Sequence, residues 1–343
     1  MYARSRTKLL TLVLGGVTSV LSLTLTSCRN RPQAVGGAAE ETFVAVTQLV
    51  ERPALNAIRD GVKDELAAAG YEAGKTLRWE WQSAKGSPLA ATHIAEKYAG
   101  ARPDVIVAIA PHSAQTVAAA TSNTPIVFSA VSDPIEAKLV TDIQKPGGNI
   151  SGVRDTSPTQ QQIELIQEIL PNLKTLGVVY GVDDDNLISP ILRINDIALD
   201  LGIDAEVLTV LTPEDAIVAA NSLTGSVDAI YIPGGDQIVA GALDDIVQSA
   251  KDNQVPVFGG DVEAVEKGAI ATVSFDYYDI GRQTGAMVVK VLRGNRPSDL
   301  AVEGVKDLKI SVNPTAAATM GVTLPDSVTS RATITIPSPP NTP

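Results

Sequence analysis

At 343 residues, with 44% apolar and 19% charged side chains, the chain carries enough nonpolar material for two cores of ordinary size and has the composition of a folded protein. Its formal net charge is −12, and no basic stripe offsets that acidity, which argues against nucleic-acid binding. With two histidines and one cysteine, an internal disulfide is excluded, and a Cys/His metal cluster lacks its raw material.

Arg4, Arg6 and Lys8 precede an apolar run of 17 residues from Leu9 to Leu25. That order is a charged n-region followed by the h-region of an export signal, at the short edge of what spans a membrane. The run ends in Leu25-Thr26-Ser27-Cys28, which resembles a bacterial lipobox. Residues 1–28 are therefore predicted to be a lipoprotein signal peptide whose final cysteine takes a diacyl anchor. Two acyl chains are what stable membrane attachment requires. The Gly/Ala/Pro-rich stretch 29–41 predicts a flexible tether. Four prolines between Ile334 and Pro343 predict a disordered tail over 331–343.

The body then alternates strand and helix. Thr42–Thr47 is a short apolar strand. Leu55, Ile58, Val62 and Leu66 recur at helical spacing behind Pro53, and Gly70 stops that helix. Leu77, Trp79 and Trp81 alternate with polar residues, as a strand with one buried face does. A helix follows over 88–99, a strand over 104–110, a helix from Ser113 and a strand over 125–131. After the Gly147-Gly148-Asn149 turn the pattern resumes. Helices are predicted at 159–170, 189–201, 213–222 and 238–251, and strands at 176–180, 205–210, 227–232 and 255–258. The chain closes with a strand at 271–275, a helix at 279–292, a strand at 308–312 and a helix from Pro314. Near-continuous apolar strands between helices predict parallel sheets covered on both faces. Two series of such units predict an α/β protein of two doubly wound lobes.

In open α/β sheets the ligand sits beyond the carboxyl ends of the strands, so the residues there are the site candidates. They are Gln48; Pro111-His112-Ser113; Ser129 through Asp133; Gly234-Gly235-Asp236; Gly259-Gly260-Asp261; and Asp276-Tyr277 near the last crossover. Amides at a helix amino terminus hold a carboxylate, and nearby aspartates hold an ammonium. The same aspartates and serines also serve as ordinary helix caps, and Gly-Gly pairs as turns. Asp183-Asp184-Asp185 reads as a solvated loop with too few convergent ligands for calcium. Enzyme signatures are missing: no G-x-S-x-G elbow, no H-E-x-x-H, and His93 falls mid-helix. Gly74-Lys75-Thr76 mimics the end of a phosphate loop, but Ala69 stands where the first glycine belongs, and the strand follows the loop instead of preceding it. No cofactor or metal is expected.

Five blocks carry a family resemblance: Thr47–Leu66, Phe128–Val140, Lys145–Val153, Val227–Pro233 and Phe275–Gly285. Together they are similar to the ABC-transporter substrate-binding lipoproteins of the tryptophan-binding-protein-like family, from about Phe43 to Leu324. The resemblance implies a type I periplasmic-binding fold that closes on a ligand, chiefly an aromatic amino acid such as tryptophan. It also implies delivery to a membrane permease and its ATPase. The chain departs from the family pattern at Pro111-His112-Ser113 and at Gly234-Gly235-Asp236-Gln237. The expected first lobe is 42–154 plus 279–312, and the second 155–278 plus 313–330, joined by hinge crossovers. Expected ligand contacts are Gln48, His112, Ser113, Ser129, Asp133, Asp236, Asp261, Asp276 and Tyr277, with Ser113 on a carboxylate and an aspartate on an amine. The expected state is a lipid-anchored monomer outside the cytoplasmic membrane. Two alternatives stay open: a binding protein for a nucleoside, sugar or branched-chain amino acid, and a sensory lipoprotein.

Overall fold

The structure, a computed structural model, describes residues 41–182 and 189–336. The signal segment with Cys28, the tether and Asp183-Asp184-Asp185 lie outside them.

The first lobe is built on five parallel strands: β1 (Thr42–Gln48), β2 (Leu77–Ser83), β3 (Val105–Ile109), β4 (Ile126–Ser129) and β5 (Ile150–Val153). Their order is β2-β1-β3-β4-β5. Alternate side chains of β1 point to opposite faces, and each face has its own core. Phe43 and Ala45 pack with Ile106, Ala108 and Phe128 beneath α2 (Pro88–Ala101) and α3 (Pro111–Ala120). Val44 and Val46 pack with Val105, Val107 and Val127 beneath α1 (Pro53–Ala68). Each aliphatic side chain so enclosed contributes about 1.5–3 kcal/mol. Local signals set the helix starts: Pro53 and Pro88 open α1 and α2, and the Ser87 hydroxyl accepts the Ala90 amide at 3.3 Å.

The second lobe repeats the winding with β6 (Thr175–Gly181), β7 (Asp204–Val210), β8 (Ala229–Ile232) and β9 (Val257–Gly259), ordered β7-β6-β8-β9. Around them lie α4 (Thr159–Ile169), α5 (Ser189–Asp200), α6 (Pro213–Leu223), α7 (Gln237–Ala240), α8 (Leu243–Asp252) and α9 (Val262–Glu266). β10 (Ala271–Ser274) adjoins β9 through the Ile270 amide on the Val257 carbonyl at 2.7 Å. The chain then returns to the first lobe as α10 (Tyr277–Leu292), whose Ile280, Met287 and Val288 complete the core under α1. This return needs two glycines. A Cβ on Gly61 of α1 would lie 2.3 Å from the Tyr278 carbonyl oxygen, and one on Gly281 would lie 2.2 Å from that of Ile58. The helices touch backbone to backbone.

After a short 3-10 turn (Pro297–Asp299), residues 302–304 run along β5: the Glu303 amide donates to the Gly152 carbonyl at 3.0 Å. The last elements are β11 (Lys309–Val312), α11 (Pro314–Thr319), α12 (Asp326–Thr329) and β12 (Ala332–Thr335). They belong to the second lobe. β11 pairs antiparallel with β10 and parallel with β12, and Val312, Ala317, Met320 and Val328 sit in the second-lobe core. The expected first-lobe boundary at 312 is thus corrected to the segment just before β11, because Ala271 and Val312 are register partners. The expected tail likewise begins later, since Ala332–Thr335 forms a strand. β5 was not predicted: its four residues include Gly152, where a Cβ would strike the Phe128 carbonyl at 2.3 Å. The single helix expected over 238–251 is two, broken around Gly241.

Three segments cross between the lobes, at 154–158, 275–276 and 305–308. Glu303 secures the approach to the third. Burial alone would push its carboxyl up, but hydrogen bonds from the Lys306 ammonium, the Gln283 amide and Lys290 outweigh that and hold it at about 2. A depressed carboxyl stabilises the fold above its unfolded value and loses that contribution as pH falls through its folded value. Glu303→Gln should therefore cost roughly 1–2 kcal/mol at pH 7 after discounting for partial solvent screening. In urea melts, its deficit against wild type should shrink as pH drops from 4.5 toward 2. A deficit independent of pH would contradict the ion-pair account.

Candidate functional site

The strand order in each lobe places a switch point, where the winding reverses direction, between β1 and β3 and between β6 and β8. Crevices open at the carboxyl ends of such strands. At the first-lobe switch point the backbone is strained. Ala110, which begins α3, has φ 71°, and Ala130, just past β4, has φ 55°. Non-glycine residues held there cost about 1–3 kcal/mol each and gather at functional sites. The start of α3 lies at that switch point. No side chain caps that start, and Pro111 occupies the first helical position. Its first-turn amides therefore project outward as an anion cradle. Ser113, in that turn, is 2% exposed, and its Oγ has no hydrogen-bond partner among the described residues. A buried hydroxyl without a partner costs about 1–3 kcal/mol.

Where the first crossing leaves β5, Asp155 accepts from the Ser132 hydroxyl at 2.7 Å and lies 3.5 Å from the Tyr277 hydroxyl. Thr156 donates to the Ser132 carbonyl at 2.7 Å. Burial pushes the Asp155 carboxyl above its ordinary value, and the Ser132 bond offsets part of that. Burial also pushes the Tyr277 phenol up to about 12, with the Asp155 carboxylate beside it adding to the rise. Phe275 meets Tyr277 edge to face at 5.5 Å. A carboxylate, two hydroxyls and two aromatic rings thus meet at the hinge.

The other expected contacts have structural work. Gln48 is fully buried: its amide donates to the Val50 carbonyl (2.9 Å) and Asn56 (2.8 Å) and accepts from the Trp81 indole (3.3 Å), pinning the loop after β1. Ser129 is also fully buried and pairs with Thr284 of α10 at 2.7 Å. Asp133 is exposed and accepts the Ile135 and Glu136 amides at 2.9 Å each. Asp236 accepts the Ile238 and Val239 amides (3.0 and 3.1 Å) and that of Gly181, joining the carboxyl ends of β6 and β8. Asp261 accepts from Ala264 at 2.9 Å and Gly235 at 3.3 Å. Asp276 accepts the Tyr278 amide at 2.8 Å and lies 3.5 Å from the Lys309 ammonium. His112 is half-buried in the first turn of α3, not in a loop, and borders a groove shared with Thr92, Glu96 and Gln115. Ser113 lies in the first turn of α3, and Tyr277 sits beside Asp155 at the hinge. Ser132 lies inside the expected Ser129–Asp133 run; Asp155 was missed because the strand before it, β5, was not predicted, and the sequence signal was a polar Arg-Asp-Thr-Ser-Pro run directly after a short apolar stretch.

Among the described residues no group of His, Cys, Asp and Glu side chains is placed to hold a metal, and no helix is long and apolar enough to cross a membrane. Asp236→Ala should destabilise the second lobe by about 1–2 kcal/mol through loss of its cap, read as a lower urea midpoint. An unchanged midpoint would contradict that capping role.

Residues 43–336 match the family model for ABC transporter substrate binding proteins. A tyrosine-binding protein of Clostridioides difficile is 29% identical over 311 residues, covering 89% of this chain and 90% of that one. The ligand-free, open structure of a Clostridium difficile substrate-binding protein with adhesive properties is 32% identical, covers 87% of this chain and 100% of that one, and superposes with a TM-score of 0.80. A Streptococcus pneumonia ABC domain in complex with L-Trp is 33% identical, covers 86% of this chain and 100% of that one, and has a TM-score of 0.65. At nearly equal identity the chain superposes more closely on the ligand-free structure than on the Trp-bound one. Two doubly wound lobes, a crevice at their switch points and a family match over nearly the whole described chain lead to one assignment: the protein belongs to the ABC transporter substrate-binding protein family.

Proposed function

We propose that the protein captures an aromatic amino acid between its lobes and delivers it to a membrane permease powered by its ATPase. The observation that carries this reading is the unpartnered Ser113 hydroxyl, buried at the uncapped start of α3. A ligand carboxylate seated there would satisfy the hydroxyl and the first-turn amides together. The rings of Phe275 and Tyr277 provide an apolar wall at the hinge, and relatives named for tyrosine and solved with L-Trp support an aromatic side chain. Closure follows because one ligand touching both lobes stabilises the state that brings them together. Gln48, Ser129, Asp236 and Asp261 act as positioning residues that hold the crevice loops, and Asp133 and Asp276 cap the segments at its rim.

The family is one of substrate-binding proteins, not of enzymes. Such proteins work outside the cytoplasmic membrane, and the Leu25-Thr26-Ser27-Cys28 motif supports attachment through a diacylated Cys28.

Calorimetry on the full chain in mild detergent should show L-tyrosine or L-tryptophan binding with a Kd of about 1 μM or tighter, near −8 kcal/mol. Ser113→Ala should weaken binding about tenfold while leaving folding stability unchanged or raised, since the variant removes a buried polar atom that lacks a partner. A variant that binds as tightly as wild type would displace the carboxylate from this position.

A further inference from the structure

We propose that Asp155 is the seat of the ligand's ammonium group and that it makes the protein select for a free amine. The inference rests on the ligand reading above. Asp155 stands where the first crossing leaves β5 and touches Tyr277, where the second crossing enters α10. Its hydrogen-bond partners, the Ser132 hydroxyl at 2.7 Å and the Tyr277 hydroxyl at 3.5 Å, are neutral. Among the described residues no cation pairs with it, and the cations around the hinge are engaged elsewhere. Lys309 lies 2.6 Å from Asp279, Arg282 lies 2.8 Å from Glu65, and Lys290 and Lys306 both hold Glu303. Arg154 adjoins Asp155 in sequence, just past the end of β5, and forms no ion pair with it among the described residues. Its guanidinium lies toward Gly304, at the edge where 302–304 pairs with β5.

A half-buried carboxylate flanked only by neutral groups is a poor resting state. Burial penalises its charge, which is why its proton affinity rises. A primary ammonium would relieve that penalty with charge-assisted hydrogen bonds. Asp236 and Asp261 lack this need, because they already accept backbone amides on both oxygens, while Asp133 and Asp276 are exposed and Asp276 has Lys309 beside it. Spacing fits as well. Ser113 follows β3 and Asp155 follows β5, with β4 between them, so the strand ends are about 9.6 Å apart. An amino-acid head group with a hydrogen bond at each end spans roughly 8–9 Å.

The test is calorimetry on the full chain with L-tyrosine and L-tryptophan against their desamino counterparts, 3-(4-hydroxyphenyl)propionate and indole-3-propionate. Wild type should prefer each amino acid by about tenfold to a hundredfold. Asp155→Asn, which keeps the shape and the Ser132 contact, should lose that preference while binding the desamino acids as wild type does. A preference retained in Asp155→Asn overturns the inference. Should that variant fail to fold, wild type decides alone: desamino acids bound as tightly as amino acids overturn it. Should wild type bind neither aromatic amino acid, the ligand reading fails, and the comparison moves to the solute found by screening. An amine whose affinity falls in Asp155→Asn supports the inference, and a solute without an amine overturns it.

Discussion

The backbone contact between α1 and α10 is the constraint on which the rest depends. Gly61 and Gly281 leave no room for a side chain, so two helices far apart in sequence share one interface. Around it Tyr278 donates to Asp64 at 2.8 Å, Arg282 pairs with Glu65 at 2.8 Å, and Thr284 reaches Ser129 at 2.7 Å. A helix that follows the second sheet is thereby built into the first lobe. The chain must then cross between lobes three times instead of once. Three crossings make a hinge that bends along one path, whereas a single linker would leave the lobes free to tumble.

The crossings carry much of the chemistry as well. Asp155 is on the first, Asp276 and Tyr277 are at the second, and Lys309 follows the third and bonds back to Asp279 of α10. Groups that would recognise a ligand and groups that set the interlobe angle are therefore neighbours. Charge captured at Asp155 would be felt where the lobes rotate. The two strained alanines at the ends of β3 and β4 fit the same economy, since local strain shapes the crevice while the packed sheets behind it hold the fold.

Much of this was legible in the sequence. The βα alternation, the two series and most helix starts follow from apolar periodicity and from prolines at helix beginnings, as at Pro53, Pro88 and Pro213. What escaped depended on tertiary contact. Ile150–Val153 is too short and too broken by Gly152 to announce a strand; it exists because it pairs in register with β4, Ile126 beside Ile150 and Ser129 beside Val153. Ala332–Thr335 alternates apolar and polar over only four residues, too short a run to stand out beside the proline-rich end, and is fixed as a strand by pairing with β11. For the site, residue type and position after a strand named candidate loops but could not tell caps from contacts. Asp236 and Asp261 look like free carboxylates in sequence, and only geometry shows amides on both oxygens of each. Asp155 was hidden for the opposite reason, since its strand went unseen.

The central claim is that one small guest shifts two lobes from an open to a closed arrangement. Distances between spin labels on opposite rims of the crevice measure that directly. Labels at Glu136→Cys and Asp215→Cys, both exposed positions, in a Cys28→Ser background should report a broad, long distance without ligand. Saturating L-tyrosine or L-tryptophan should convert it to a shorter and narrower one. Identical distance distributions with and without a ligand shown to bind would contradict the account.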